Sequence, residues 1–222
     1  AEPGLDLHLV DAMEVYNKSD DIDSIQSSNL PAWFNLLNRG YSIAAIGGSD
    51  EHDYAGTYGS PRNMVPTTAG LNDADLPDKV FDAMKTWRSL MLGGPVVVLT
   101  VDGATLGDTV TATDQTVEVR VQVLAPDWMK LNMAKVFANG AVVREIELLP
   151  GPQVVRADET FELPLVADAH IVAAAGSNDG SHRMQPVSSR MPFSVTNPIF
   201  VDVGGDGYTP IHKNGAPWDA AK

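Results

Sequence analysis

The clearest signal along the chain is an alternation of apolar and polar positions in its second half. In "TVEVRVQV", Val117, Val119, Val121 and Val123 fall on one side of an extended chain and Glu118, Arg120 and Gln122 on the other. That period of two predicts a strand with one buried face. "AKVFANGAVVREIEL" predicts a hairpin, because Asn139-Gly140 is the dipeptide favoured in a type I′ turn. "TFELPLV", "HIVAAAG" and "PFSVTNPIFVDV" complete a series of about seven short strands from Val96 onward, which predicts a β-sandwich with an immunoglobulin-like look. Pro164 cannot donate to a ladder, so its strand is expected at a sheet edge.

Residues 1–95 have a different rhythm, in which short strands alternate with helices. "DAMEVYN", Asp11 to Asn17, is an apolar-rich strand that ends in polar groups. In "LPAWFNLLNRG", Pro31 fits an early helical position, Trp33, Leu36 and Leu37 share a face, and Gly40 fits the stop. "YSIAAIGG" is apolar on both faces, the pattern of a strand in a helix-covered parallel sheet. A second helix is expected over residues 75–92, with Val80, Met84, Trp87 and Met91 on one stripe, ending at "GGP". The predicted class is therefore α/β over 1–95 and all-β over 96–203, with a loop-rich tail over 204–222.

Composition narrows the possible functions. With 222 residues, 44% hydrophobic and 20% charged, the chain can bury a proper core. No run approaches the ~18 apolar residues of a membrane helix. The start, "AEPGLDLHLV", has neither the basic nor the apolar region of a signal peptide. A formal charge of −14, from 29 acids against 15 Lys and Arg, argues against nucleic acid or an anionic membrane as partner. The absence of cysteine excludes disulfides and thiolate metal sites and fits either redox compartment. Any metal would be held by His, Asp, Glu or Asn.

Candidate chemistry centres on "AAIGGSDEHDYAGTYGSP", where an apolar strand runs into an Asp-Glu-His triplet. In an extended segment Asp50 and His52 point the same way, just past a strand's carboxyl end, and suit Zn²⁺, Mn²⁺ or Fe. The spacing leaves open a plainer reading, in which Asp50 caps a turn and His52 is a loop histidine. Glu14 and Asn17 end the other predicted strand on the same rim, as ligands, as partners of the ligands, or as a solvated strand end. Arg62 and Arg88 are candidates for holding an anionic substrate group or are ordinary surface arginines. His8, His170, His182 and His212 lack ligand spacing and read as structural. "VDVGGDG" resembles an acidic calcium loop without its regular ladder, so a tight turn with weak calcium binding is expected.

Taken in order, several motifs are more specific than any one. "DAMEVYN", "WFNLLNRGYSIAAIGGSDEH", "GSPRNMV", "WRSLMLGGPVVVLTVDG", "GDTV" and "TNPIFVDV" resemble the C-terminal part of the PHP superfamily of metal-dependent hydrolases. The look is closest to the carbaryl hydrolase (CehA/McbA-like) subgroup. The resemblance implies the last part of a distorted PHP-type β/α barrel, followed by a β-sandwich. It further implies that Asp50 and His52 are catalytic metal ligands in a phosphoesterase- or esterase-type enzyme. The substrate would be a small molecule, with metal-activated water attacking an ester, carbamate or phosphoester.

The chain departs from that pattern in two places. The H-x-H motif that opens the family's barrel is absent, and "LGGP" stands where members often read "TNGP". A complementary N-terminal barrel chain, or self-association, is therefore expected to supply the missing ligands and cover unpaired strand edges. The acidic, cysteine-free composition and the resemblance point to an extracytoplasmic location. The competing function is a non-catalytic module whose sandwich binds a partner or a glycan. Trp128 in "APDW" is a candidate contact for that role, although a core position is favoured for it.

Overall fold

The computed structural model describes residues 6–17, 22–52, 58–67, 70, 72–149, 151–184 and 189–212. The alternating valines form β7 (Thr116–Leu124), with Val117, Val119, Val121 and Val123 all buried. β7 lies between β5 (Val96–Val101) and β10 (Val155–Pro164) in a three-stranded antiparallel sheet. Pro164 ends β10 on the sheet's edge, where a missing N–H costs nothing.

A larger sheet is built around β11 (Ala169–Gly176), every residue of which is buried. Along one side of β11 runs β8 (Met133–Ala138), which continues into β9 (Ala141–Ile146). The turn between them has Asn139 at φ 51° and Gly140 at φ 86°, the two left-handed residues of the expected type I′ hairpin. The other side of β11 is shared by β12 (Phe193–Thr196) and β13 (Ile199–Val203). β12 pairs onward with β4 (Leu90–Gly93) and then β3 (Arg62–Met64), while β13 pairs in parallel with β6 (Thr109–Ala112). Strands from both halves of the chain thus share this sheet.

The two faces of β11 serve two cores. Ile171, Ala173 and Ala175 join β7 and β5 in the core between the sheets, a β-sandwich. Val172 and Ala174 join Val15, Trp33, Phe34 and Leu37 in a second core on the opposite face. Burying each such large side chain contributes roughly 1.5–3 kcal/mol, so both layers are held firmly.

A short helix α1 (Ile22–Ser24) leads into a π-helical turn and α2 (Leu30–Asn38), and the turn and α2 give Ile25, Leu30, Trp33, Phe34 and Leu37 to the second core. Pro31 sits in the first turn of α2, as expected. At its end Gly40 takes φ 86°, its N–H donates to Leu37 O (2.9 Å), and the Tyr41 N–H donates to Leu36 O (3.1 Å). This is a Schellman stop. The buried face is Leu30, Trp33, Phe34 and Leu37, with Phe34 in the place expected for Leu36. The Trp33 indole N–H donates to Ile43 O (2.8 Å) and so fixes where β2 (Ala44–Gly48) begins.

The expected second helix is half as long as its apolar stripe implied. α3 covers only Leu76–Lys85. Trp87 then turns left-handed (φ 59°) and the Arg88 N–H closes onto Ala83 O (2.8 Å), a second Schellman stop with tryptophan in the glycine position. Met91 fell at helical spacing by coincidence. Leu90, Met91 and Leu92 are buried on both faces of β4, and strand pairing overrides the periodicity. The "LGGP" departure also has a physical role, because a side chain at Gly93 would overlap the buried ring of Tyr16.

From Gly204 to His212 the tail has no helix or strand and folds back, with Tyr208 edge-on to Phe200 (4.9 Å) and the His212 N–H donating to Asn38 O (2.8 Å). Among the described residues no helix is long and apolar enough to cross a membrane.

Candidate functional site

β1 (Ala12–Asn17) and β2 pair in parallel, with Glu14 opposite Ile46 and Asn17 opposite Gly48. Their carboxyl ends therefore share one rim. The Glu14 carboxylate lies over Gly48, where any added Cβ would collide with Oε1. Its other oxygen, Oε2, accepts a hydrogen bond from Asn17 Nδ2 (3.1 Å). Glycine at 48 thus lets the carboxylate of one strand reach across the end of the next.

The far edge of β2 pairs with two asparagine side chains. Asn197 Oδ1 accepts from the Ala45 N–H (2.9 Å) and its Nδ2 donates to Ala45 O (2.8 Å). Two residues on, Asn63 repeats the pattern with Gly47 (2.9 and 2.8 Å). Asn197 Nδ2 also donates to Ser89 O and Ser89 Oγ, both at 3.0 Å. These amides satisfy backbone groups that would otherwise be orphaned at a buried edge, and they hold β2 in place beneath the rim.

Asp50 and His52 lie just past β2. They converge, but through a turn instead of strand alternation. Asp50 takes φ 44°, a left-handed conformation that aspartate tolerates better than most residues. The chain then doubles back so that His52 Nδ1 lies 3.0 Å from the Asp50 carbonyl oxygen and Nε2 lies 3.7 Å from Asp50 Oδ1. A carbonyl only accepts, so the neutral ring carries its proton on Nδ1. In that tautomer Nε2 keeps the ring's lone pair, 3.7 Å from the carboxylate oxygen. Two donors so placed fit a shared cation, one oxygen and one imidazole nitrogen being an ordinary donor set for Zn²⁺ or Mn²⁺. Both side chains are open to solvent, His52 at 81% and Asp50 at 45%. Among the described residues no group of three or more His, Asp or Glu gathers around a point.

The arginines differ in their surroundings. Arg62 is exposed on β3 and donates to Gly59 O (2.8 Å), one residue from the Asn63 that pins Gly47. Arg88 is paired within the chain, its Nη2 2.7 Å from Asp108 Oδ1. The Thr105 N–H, with that guanidinium beside it, holds the Asp108 carboxyl below the usual carboxylate range.

In the "VDVGGDG" turn the two Asp202 oxygens accept the N–H groups of Gly205 (3.1 Å) and Gly207 (3.0 Å), the geometry of a tight turn. His170 is fully buried beside Phe34, and burial pulls its pKa down to about 4. Trp128 is not a core residue. It stands 46% exposed on the loop after β7, whose buried positions are held by Ala125 and Met129.

Sequence reasoning missed Asn63, Asn197 and Tyr16. Tyr16 is buried against Gly93, and burial pushes its hydroxyl pKa up to about 12. The local signal for Asn197 was an asparagine before proline between two apolar strands, which reads as a turn.

No protein-family profile and no curated protein matches the chain. Among solved structures, a superoxide reductase (neelaredoxin) from Ignicoccus hospitalis aligns over 49% of this chain and 82% of its own, at 17% identity and a TM-score of 0.31.

Proposed function

We propose that the chain is the C-terminal portion of a metal-dependent hydrolase of the PHP type, with the β1–β2 rim as its part of the active site. The observation that carries this reading is the pairing of Asp50 Oδ1 and His52 Nε2 at 3.7 Å, past the carboxyl end of a parallel strand. The order of sequence motifs supports it, as does the Glu14 carboxylate held over Gly48.

Asp50 and His52 would hold the ion, with the Nδ1–H bond to the Asp50 carbonyl keeping Nε2 available. The chemistry such an ion would supply is Lewis acidity, which would lower the pKa of water towards neutrality and polarise an ester, carbamate or phosphoester. Glu14, oriented by Asn17, offers an acceptor for a proton on the same rim. Arg62 offers a cation to a negative substrate group.

Catalytic sites of this kind use three protein ligands and water. A complementary N-terminal barrel chain or a second copy would add the rest. β1 has a strand neighbour on one side only among the described residues, and Leu9 and Phe81 are exposed large apolar side chains in this half. The test is hydrolysis of nitrophenyl ester, carbamate and phosphoester substrates with Zn²⁺ or Mn²⁺, by the chain alone and with its complement. Asp50→Ala should abolish turnover, and a variant that turns over normally removes the assignment.

A further inference from the structure

A second site lies in the sandwich, away from the rim. Arg156 is the extra residue of a β-bulge, since Val155 pairs with Leu124 and Ala157 with Val123. Bulges re-aim side chains, and this one turns the guanidinium inward beneath the loop after β7, leaving it 3% exposed. Its Nη2 donates to the carbonyls of Pro126 (2.7 Å), Met129 (3.0 Å) and Asp127 (3.3 Å). Nε is enclosed with no acceptor, and no carboxylate among the described residues pairs with the group. An almost fully buried cation without a counter-ion is costly unless something anionic visits it.

Arg156 lines a cavity of about 610 Å³ together with Trp128, Lys130, Pro152 and His182. That volume suits a small organic ligand. Asp127 also lines it, and the Asp179 carboxylate lies 3.7 Å from His182 Nε2. Lys130, which also lies within the field of the Asp179 carboxylate, and Arg156 are the Lys and Arg side chains that line the cavity. Half-exposed Trp128 offers a flat apolar surface on the loop, and Leu149, Val154 and Val155 are exposed on the neighbouring segments.

We infer that this cavity binds an acidic carbohydrate, a pyranose ring bearing a carboxylate. The ring's C–H face lies against Trp128, and the carboxylate is read by Arg156 and Lys130. The inference stands independently of the hydrolase reading, because none of these residues belongs to the rim.

The experiment is calorimetric titration of the intact chain with a galacturonate disaccharide, a neutral glucose disaccharide of the same length, and benzoate. The uronate should bind at least about tenfold more tightly than the neutral sugar, one charged contact being worth that factor. Trp128→Ala and Lys130→Ala should each weaken it by about the same factor while circular dichroism is unchanged. Arg156→Met should abolish binding if it folds; if it does not, Lys130→Ala still decides. Equal affinity for the acidic and neutral sugars, benzoate binding as tightly as the uronate, or an unaltered affinity in Lys130→Ala would each overturn the assignment.

Discussion

The side chain of Asn197 is a strand neighbour of Ala45, with its amide accepting and donating as a backbone peptide would, across 152 residues of sequence. Replacing it by alanine leaves the Ala45 N–H and C=O without partners in a buried place. Asn197→Ala is expected to destabilise the protein by about 3 kcal/mol. Asn63→Ala, in a half-buried setting, should cost about 1–2 kcal/mol. Urea denaturation of the two variants checks both values and their order.

Glycines 48 and 93 predict opposite outcomes for one substitution. At Gly48 an added methyl meets the end of the flexible Glu14 side chain, which can move. Gly48→Ala should therefore leave thermal stability nearly unchanged but displace the carboxylate, reducing hydrolysis by the completed enzyme as much as Glu14→Ala does. The double variant should lose no more than either single one. At Gly93 the methyl meets the buried Tyr16 ring, and Gly93→Ala should destabilise by about 1–3 kcal/mol through overpacking.

His170 makes stability depend on pH. Its folded pKa of about 4 lies below the ordinary 6.5, so the unfolded chain takes up the proton first as pH falls. Its contribution is complete above pH 6.5 and is lost between 6.5 and 4, about 3 kcal/mol in all. His170→Phe keeps an aromatic ring beside Phe34 and has nothing to protonate. Across that window the variant should lose less stability than the parent, and parallel curves from denaturation at several pH values would contradict the assignment.

Much of this architecture is legible in the chain. β7 and the Asn139-Gly140 hairpin rest on local rules of alternation and turn chemistry, and α2 carries its own start and stop. What was not legible depends on distant partners. Met91 sits at helical spacing from Val80 and Met84, yet β3 and β12 claim it as a strand residue. Asn197 reads as a turn residue until Ala45 is placed beside it. For the candidate site, the D-x-H spacing anticipated that Asp50 and His52 lie side by side, but left-handed Asp50, and not strand alternation, brings the two side chains together.

The central claim, that Asp50 and His52 share a divalent cation, is tested most directly by elemental mass spectrometry on the protein as isolated. The parallel sample is the Asp50→Ala/His52→Ala double variant. Near-stoichiometric transition metal in the parent and none in the double variant is the predicted result. Equal metal in both samples, or none in either even after titration with Zn²⁺ and Mn²⁺, would contradict the account.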